Sequence, residues 1–526
     1  VGIAIDYDNS TIKWYKNNTL QYTKTSADLK DVTFGFSDSS GSSGFTTECN
    51  FGQKAFAYTP PSGYTTLSTA NLPEPATPLP SAHFNTVLHE GTGATQTVTG
   101  VGFQPDWVWV KNRSAAKNHM VVDAVRGVGA GGTNTHPLFP NTTEAEEDQG
   151  SGTNKISALN SDGFVIDGNS GILNTDDQNY VSWNWKAGGT APVKTYVVKV
   201  VSDSGNKYRF DDFAASAQTV DLQEGGTYTF DQSDSSNSGH PFRFSTTSNG
   251  SHGGGSEYTT GVTTNGTPGS SGAYTKITVA ASTATLYYYC TAHSGMGGQI
   301  NTNSTFGSSY FDGDIKSTVS ANQAAGFSIV TWTSNGSNAG TIPHGLGVTP
   351  ELIFYKTRGQ TARWHVFIIG LIDGSIDYMH LDATIVKQNS LSQWGAPTSS
   401  MISNIGFGNT QPLVAYNFVS KPGYSKMGVY TGSGNADGPF INTGFRPAWL
   451  MYKKTSAVAD WRVYDSKRSV SNPVKLGLYP NLNIAEDSGF DFDLLSNGFK
   501  CRTNHSDVNQ SGGTYLYMAF AESPFK

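Results

Sequence analysis

Short runs in which apolar side chains recur at every second position dominate this chain. Asp106-Trp107-Val108-Trp109-Val110-Lys111 is one of them. A period of two puts alternate side chains on opposite faces, so the spacing predicts strands with one buried face. Residues 180–185, 413–418 and 515–522 alternate in the same way with aromatic residues and read as closing core strands. Residues 195–200 read as a strand, and residues 220–230 as a strand, a Gly225-Gly226 turn and another strand. Gly, Asn and Ser turns separate the runs, a pattern that predicts an all-β fold.

One block recurs three times. Gly102-Phe103-Gln104-Pro105 leads into a strand ending at Lys111, Gly347-Val348-Thr349-Pro350 into one ending at Lys356, and Gly444-Phe445-Arg446-Pro447 into one ending at Lys453. Pro350 and Pro447 stand one small domain apart, whereas Pro105 and Pro350 are much farther apart. An insert therefore separates the first two members of a repeat array. The second copy lacks the Trp-rich closing strand of the first and is the most divergent.

The repeats resemble a concanavalin-like β-sandwich found in tail fibres and other structural proteins of tailed phages. The phrases carrying the resemblance are Lys421-Pro422-Gly423-Tyr424-Ser425-Lys426, Trp461-Arg462-Val463-Tyr464-Asp465-Ser466-Lys467-Arg468 and Tyr517-Met518-Ala519-Phe520-Ala521-Glu522. It implies sandwiches at residues 82–190, 322–422 and 427–526. Residues 1–72 resemble the C-terminal part of a SPRY domain. Ile12-Lys13-Trp14-Tyr15-Lys16 fits its hairpin, and Asn50-Phe51-Gly52-Gln53-Lys54-Ala55-Phe56 with Pro60-Pro61-Ser62-Gly63-Tyr64 fits its closing strands. The first half of that family is missing, so more chain is expected upstream. Residues 73–81 read as a Pro-rich, semi-rigid linker.

The insert holds the one stretch that suggests inorganic chemistry, Cys290-Thr291-Ala292-His293-Ser294-Gly295-Met296, with a second histidine upstream at His240. A thiolate, two imidazoles and a thioether are the donors of a blue-copper site. Residues 194–312 resemble the cupredoxin family, a Greek-key β-sandwich, and Cys-x2-His-x2-Met matches the short ligand loop of its amicyanin-like members. The resemblance implies His240, Cys290, His293 and Met296 as ligands and copper as cofactor; zinc, or a fold without metal, stays open. Residues 245–271 form a long Gly/Ser/Thr/Asn loop unlike the electron-transfer members.

Composition narrows the function. Charged residues make up 14% against 12% aromatics, with 60 Gly and a net charge of −7. No Lys/Arg block offers a phosphate-binding surface, which argues against nucleic acid as a partner. No apolar run approaches the ~20 residues of a membrane span. Cys49, Cys290 and Cys501 are odd in number and far apart, so no disulfide framework is implied. Gly127-Val128-Gly129-Ala130-Gly131-Gly132 lacks the helix that a dinucleotide site needs and reads as a loop. Glu146-Glu147-Asp148, and Asp491 with Asp493, could serve glycoside chemistry, but a solvated loop or strand edge explains each. Trp107, Trp183, Trp185, Trp449 and Trp461 could stack on sugars, yet fit a core better. The expectation is a non-enzymatic structural and adhesive virion protein of a tailed phage. Its expected partners are other virion proteins, further copies of itself as a trimer, and a host-surface glycan. The alternatives are a copper redox protein and a polysaccharide-degrading tail enzyme.

Overall fold

A computed structural model describes residues 1–6, 9–26, 48–67, 71, 75, 77, 79–128, 136–147, 155–188, 192–302, 306–389, 394–405 and 409–524. The fold is all-β. Helices among these residues are the single turn Ser506–Asn509 and the 3-10 turns Pro80–Ala82, Ser235–Asn237 and Gly250–Gly253. The chain divides into two compact units, residues 1–75 and 76–525.

The first unit contains a three-stranded antiparallel sheet, Gly2–Asp6, Thr11–Lys16 and Thr19–Thr25. The hairpin expected there is therefore present. Residues 50–56, expected as a closing strand, instead form bends and irregular backbone, with Phe51 and Phe56 exposed. A strand needs a ladder partner, and among the described residues none is paired with this segment. Of the Pro-rich stretch 73–81, Pro73, Glu74, Ala76 and Pro78 lie outside the described residues.

In the second unit one strand order appears three times. Phe84–Glu90, Asn179–Trp185, Trp107–Asn112 and Met120–Asp123 are adjacent in that order, as are Ser425–Thr431, Thr514–Pro524, Phe445–Lys454 and Arg462–Asp465. The same order, Phe327–Thr333, Pro412–Phe418, Leu352–Thr357 and His365–Ile369, lies inside an eight-stranded sheet. Register fixes the equivalences. Trp109 pairs with Trp183 and Val121, Phe354 with Tyr416 and Val366, and Met451 with Met518 and Val463. Each lies four residues beyond its proline, so Pro105, Pro350 and Pro447 occupy matching places.

The expectation of one buried face fails here. All six residues of Trp107–Asn112 and of Leu352–Thr357 are buried. Val108 and Val110 face their own sandwich, and Ile353 with Tyr355, and Leu450 with Tyr452, do likewise. Trp107, Trp109, Leu352, Phe354, Trp449 and Met451 face a single core shared by all three repeats. Trp183, Trp185 and Trp461 lie in it as well, so all five tryptophans considered for sugar stacking are core. Both faces are apolar because each sheet packs twice, once on its own partner sheet and once on the other repeats.

Polar contacts close these repeats into a ring. Trp364 Nε1 donates to the Phe139 carbonyl (3.0 Å), Trp461 Nε1 to the His380 carbonyl (2.9 Å), and His119 Nε2 to the Tyr479 carbonyl (2.8 Å). The second repeat thus holds the first, the third holds the second, and the first holds the third. Four residues further along each acceptor segment, the repeated lysines follow the same cycle. Lys356 Nζ reaches the Thr143 carbonyl, Lys453 Nζ the Thr384 carbonyl and Lys111 Nζ the Asn483 carbonyl, at 3.1–3.3 Å. The conserved spacing of turn, strand and lysine within this chain is therefore an interface motif.

Glu146, read from sequence as part of a solvated loop, is largely buried. Arg126 Nη1 lies 2.9 Å from it, and Arg358 of the second repeat bonds it through Nε (2.6 Å) and Nη2 (2.7 Å). Burial pushes its carboxyl up, but the bonds from Arg358 and the charge of Arg126 outweigh that and leave it below the ordinary range. Glu486 repeats the arrangement with Arg468 and Arg113. Asp148 lies outside the described residues, as do Gly129, Ala130, Gly131 and Gly132. Asp491 and Asp493 face Lys475 (3.5 Å) and Arg502 (3.4 Å).

Candidate metal centre

The insert builds two facing sheets. One contains Asn206–Phe210, Val193–Ser202, Thr227–Asp231, Tyr274–Thr278 and Val262–Asn265; the other contains Val220–Asp221, Gly298–Asn301, Leu286–Cys290 and Phe242–Ser245. Aromatic residues at alternate positions, among them Tyr196, Tyr208, Phe210, Phe230, Phe242 and Tyr288, fill the space between them. Ser308–Tyr310, near the end of the insert, hydrogen-bonds into the sheet of the second repeat. The Tyr196 hydroxyl donates to the Ser309 carbonyl (2.9 Å), and Thr318 Oγ1 to Asp221 (2.8 Å). The insert is thereby fastened to that repeat through strand pairing rather than hung on a tether.

Strand pairing also brings together three of the four sequence-predicted ligands, His240, Cys290 and His293. Phe242 pairs with Cys290 at the end of two antiparallel strands, which brings the turn carrying His240 beside the thiol. The Thr291 amide donates to the Pro241 carbonyl (3.2 Å) and ties the two loop starts together. His293 follows three residues after Cys290. Met296 ends the loop, buried in the same apolar cluster as Cys290.

Cys290 Sγ stands 3.8 Å from His240 Nδ1 and 3.7 Å from His293 Nδ1. All three donor atoms fall within 4.8 Å of one another. Ligands held ~2.0 and ~2.3 Å from one ion at trigonal angles stand about 3.7 Å apart, so the spacing fits a shared ion. Cys290 is buried, His240 half-buried and His293 exposed, which gives a site with one edge open to solvent. Burial and then the charge of His293 lower the His240 pKa. That favours the neutral imidazole, the form that ligates a metal. Around His293, residues 291, 292, 294 and 295 are exposed and mostly small or polar. They form no apolar rim around this imidazole.

Residues outside the ligand set hold the loops, and sequence reasoning missed them. The His240 carbonyl accepts from the Tyr208 hydroxyl and from Gln232 Nε2, both at 2.9 Å. The Tyr208 amide donates to the Met296 carbonyl (3.0 Å), so one tyrosine touches both ends of the site. The segment 245–271, which read as a long featureless loop, contains the turn Gly250–Gly253 and the strand Val262–Asn265. Its Gly/Ser/Asn composition gives no apolar period from which this order could be read.

A family model described as a domain of unknown function, DUF7483, matches residues 79–208 and 298–524, more than half of the chain. The unmatched residues between these segments contain His240, Cys290, His293 and Met296. No curated protein and no solved structure matches the chain.

Proposed function

Because this chain belongs to the DUF7483 family and the matched residues omit every metal ligand, we propose that it is a structural scaffold carrying a separate copper-binding module. The observation that carries the copper reading is the 3.7–3.8 Å spacing between Cys290 Sγ and the two imidazoles. His240, Cys290 and His293 would hold the ion, and Met296, buried in the same cluster as Cys290, would offer a thioether donor. Copper bound there would supply one-electron redox chemistry. Adding Cu(II) to the full chain should produce an intense visible absorption band, and Cys290→Ser should abolish it while leaving the fold intact. A colourless wild-type chain that does not retain Cu(II) through gel filtration would refute the module's role. Retention of zinc in its place would make the site tetrahedral and redox-silent.

The scaffold reading is that of a virion-surface protein of a tailed phage, with adhesion to other virion proteins and to a host-surface glycan. Its support is the sequence resemblance of the three repeats together with their interlocked core. A rigid sandwich body leaves its end loops free to vary, as adhesive surfaces require. Peptides of this chain should co-purify with gradient-banded particles, and their absence from such particles would overturn this reading.

A further inference from the structure

The segment that departs from the electron-transfer cupredoxins lies directly on the ligand loop. Asn249 adopts the left-handed conformation (φ 61°, ψ 16°), uncommon for a residue with a side chain. Its Oδ1 accepts from the Gly295 amide and its Nδ2 donates to Ser294 Oγ, both at 2.8 Å. Ser294 and Gly295 lie between the two ligands His293 and Met296. Gly250 comes next, with φ +53° and so little room that a Cβ would sit 2.4 Å from the Tyr289 ring. Only glycine lets the strap lie this close to the residue preceding Cys290. Two residues on, His252 Nε2 stands 3.1 Å from the Cys290 carbonyl. The strap therefore touches the chain next to three of the four ligands, while Lys207 Nζ bonds the Gly295 carbonyl.

We propose that Asn249 is a positioning residue of the metal centre, whose side chain holds the His293–Met296 loop in its metal-ready form. The proposal rests on the copper reading above. An exposed loop rich in small residues has many conformations, and ordering it when metal binds would cost affinity. Asn249 meets that cost in the folded chain before metal arrives, by occupying the Gly295 amide and the Ser294 hydroxyl. No backbone partner in the loop itself does so.

The test compares full-length wild type, Asn249→Ala and Asn249→Asp, the last keeping an acceptor for the Gly295 amide. In metal-free protein, amide hydrogen exchange over residues 291–297 should be about tenfold faster in Asn249→Ala and near wild type in Asn249→Asp. Exchange in the strand Leu286–Cys290 should not change. Outer-shell losses typically weaken metal sites by roughly 10–100-fold. Cu(II) titration should show a loss of that order, with a shifted visible band, in Asn249→Ala and recovery in Asn249→Asp. Unchanged loop exchange, or unchanged Cu(II) affinity and spectrum, in Asn249→Ala would overturn the assignment. A wild-type chain that takes up no copper overturns the copper reading alone. The exchange measurement then still decides whether Asn249 orders the loop.

Discussion

Replacing Glu146 with Ala is expected to destabilise the three-repeat body by about 3–5 kcal/mol, the usual cost of leaving buried charge uncompensated. Arg126 is fully buried beside it and Arg358 partly exposed, and both direct guanidinium nitrogens at this one carboxylate. Arg126 keeps its bond to Asp123 Oδ2 (2.5 Å), but Arg358 loses both of its bonds to Glu146. Glu146→Gln keeps the volume and one acceptor oxygen, so it should cost less than Ala. Glu486→Ala should behave like Glu146→Ala, since Arg113 and Arg468 surround Glu486 in the same way. Urea unfolding monitored by tryptophan fluorescence measures this through the transition midpoint at constant slope. A shift equivalent to less than ~1 kcal/mol for Glu146→Ala would mean that the two arginines find other partners, and the interface account would fail.

Stability should rise with pH between about 8 and 10. Burial lowers the pKa of Lys111, Lys356 and Lys453 from 10.5 to about 8, against smaller opposing effects of nearby carboxylates. The sign follows from proton counting. Between those values the unfolded chain binds more protons than the folded one, so raising pH favours folding. Below pH 8 the full cost of the three buried ammonium groups is present. By pH 10 its relief is worth roughly 2 kcal/mol per lysine. Above pH 10 the trend should reverse. Burial holds tyrosines such as Tyr416 and Tyr452 far above their ordinary range in the folded state, and the unfolded chain then loses protons first. Unfolding midpoints at pH 7, 8, 9 and 10 test this, with Lys453→Met removing about a third of the rise. A flat or falling profile from pH 8 to 10 would show that the carbonyl cages stabilise the ammonium forms better than burial penalises them.

The chain's linear pattern carried much of this architecture. Strands, turns and the three-fold recurrence were legible because a period of two and Gly/Pro turns are local properties. The four candidate donors were legible because residue type and order already restrict metal chemistry. Other features were not. Glu146 looks like any surface acid, and only Arg358, far away in sequence, makes it part of an interface. The segment around Asn249 has the composition of a flexible linker, and its order comes from Ser294, Gly295 and Tyr289 across space. The irregular backbone of residues 50–56 likewise goes with the lack of a ladder partner among the described residues, which no local signal could report.

The linear sequence alone carries the all-β class, the repeats and the four candidate donors. Each of these rests on side-chain type and short-range period. Tertiary structure alone decided that the apolar strands bury both faces and that the repeats close into a ring. It also decided that His240, Cys290 and His293 stand at ligand spacing. The physical reason is common to all three. A residue's period fixes which way its side chain points, but not what meets it there. Trp107 and Trp109 face the other repeats, and Cys290 faces His240, because pairings between distant strands bring those groups together.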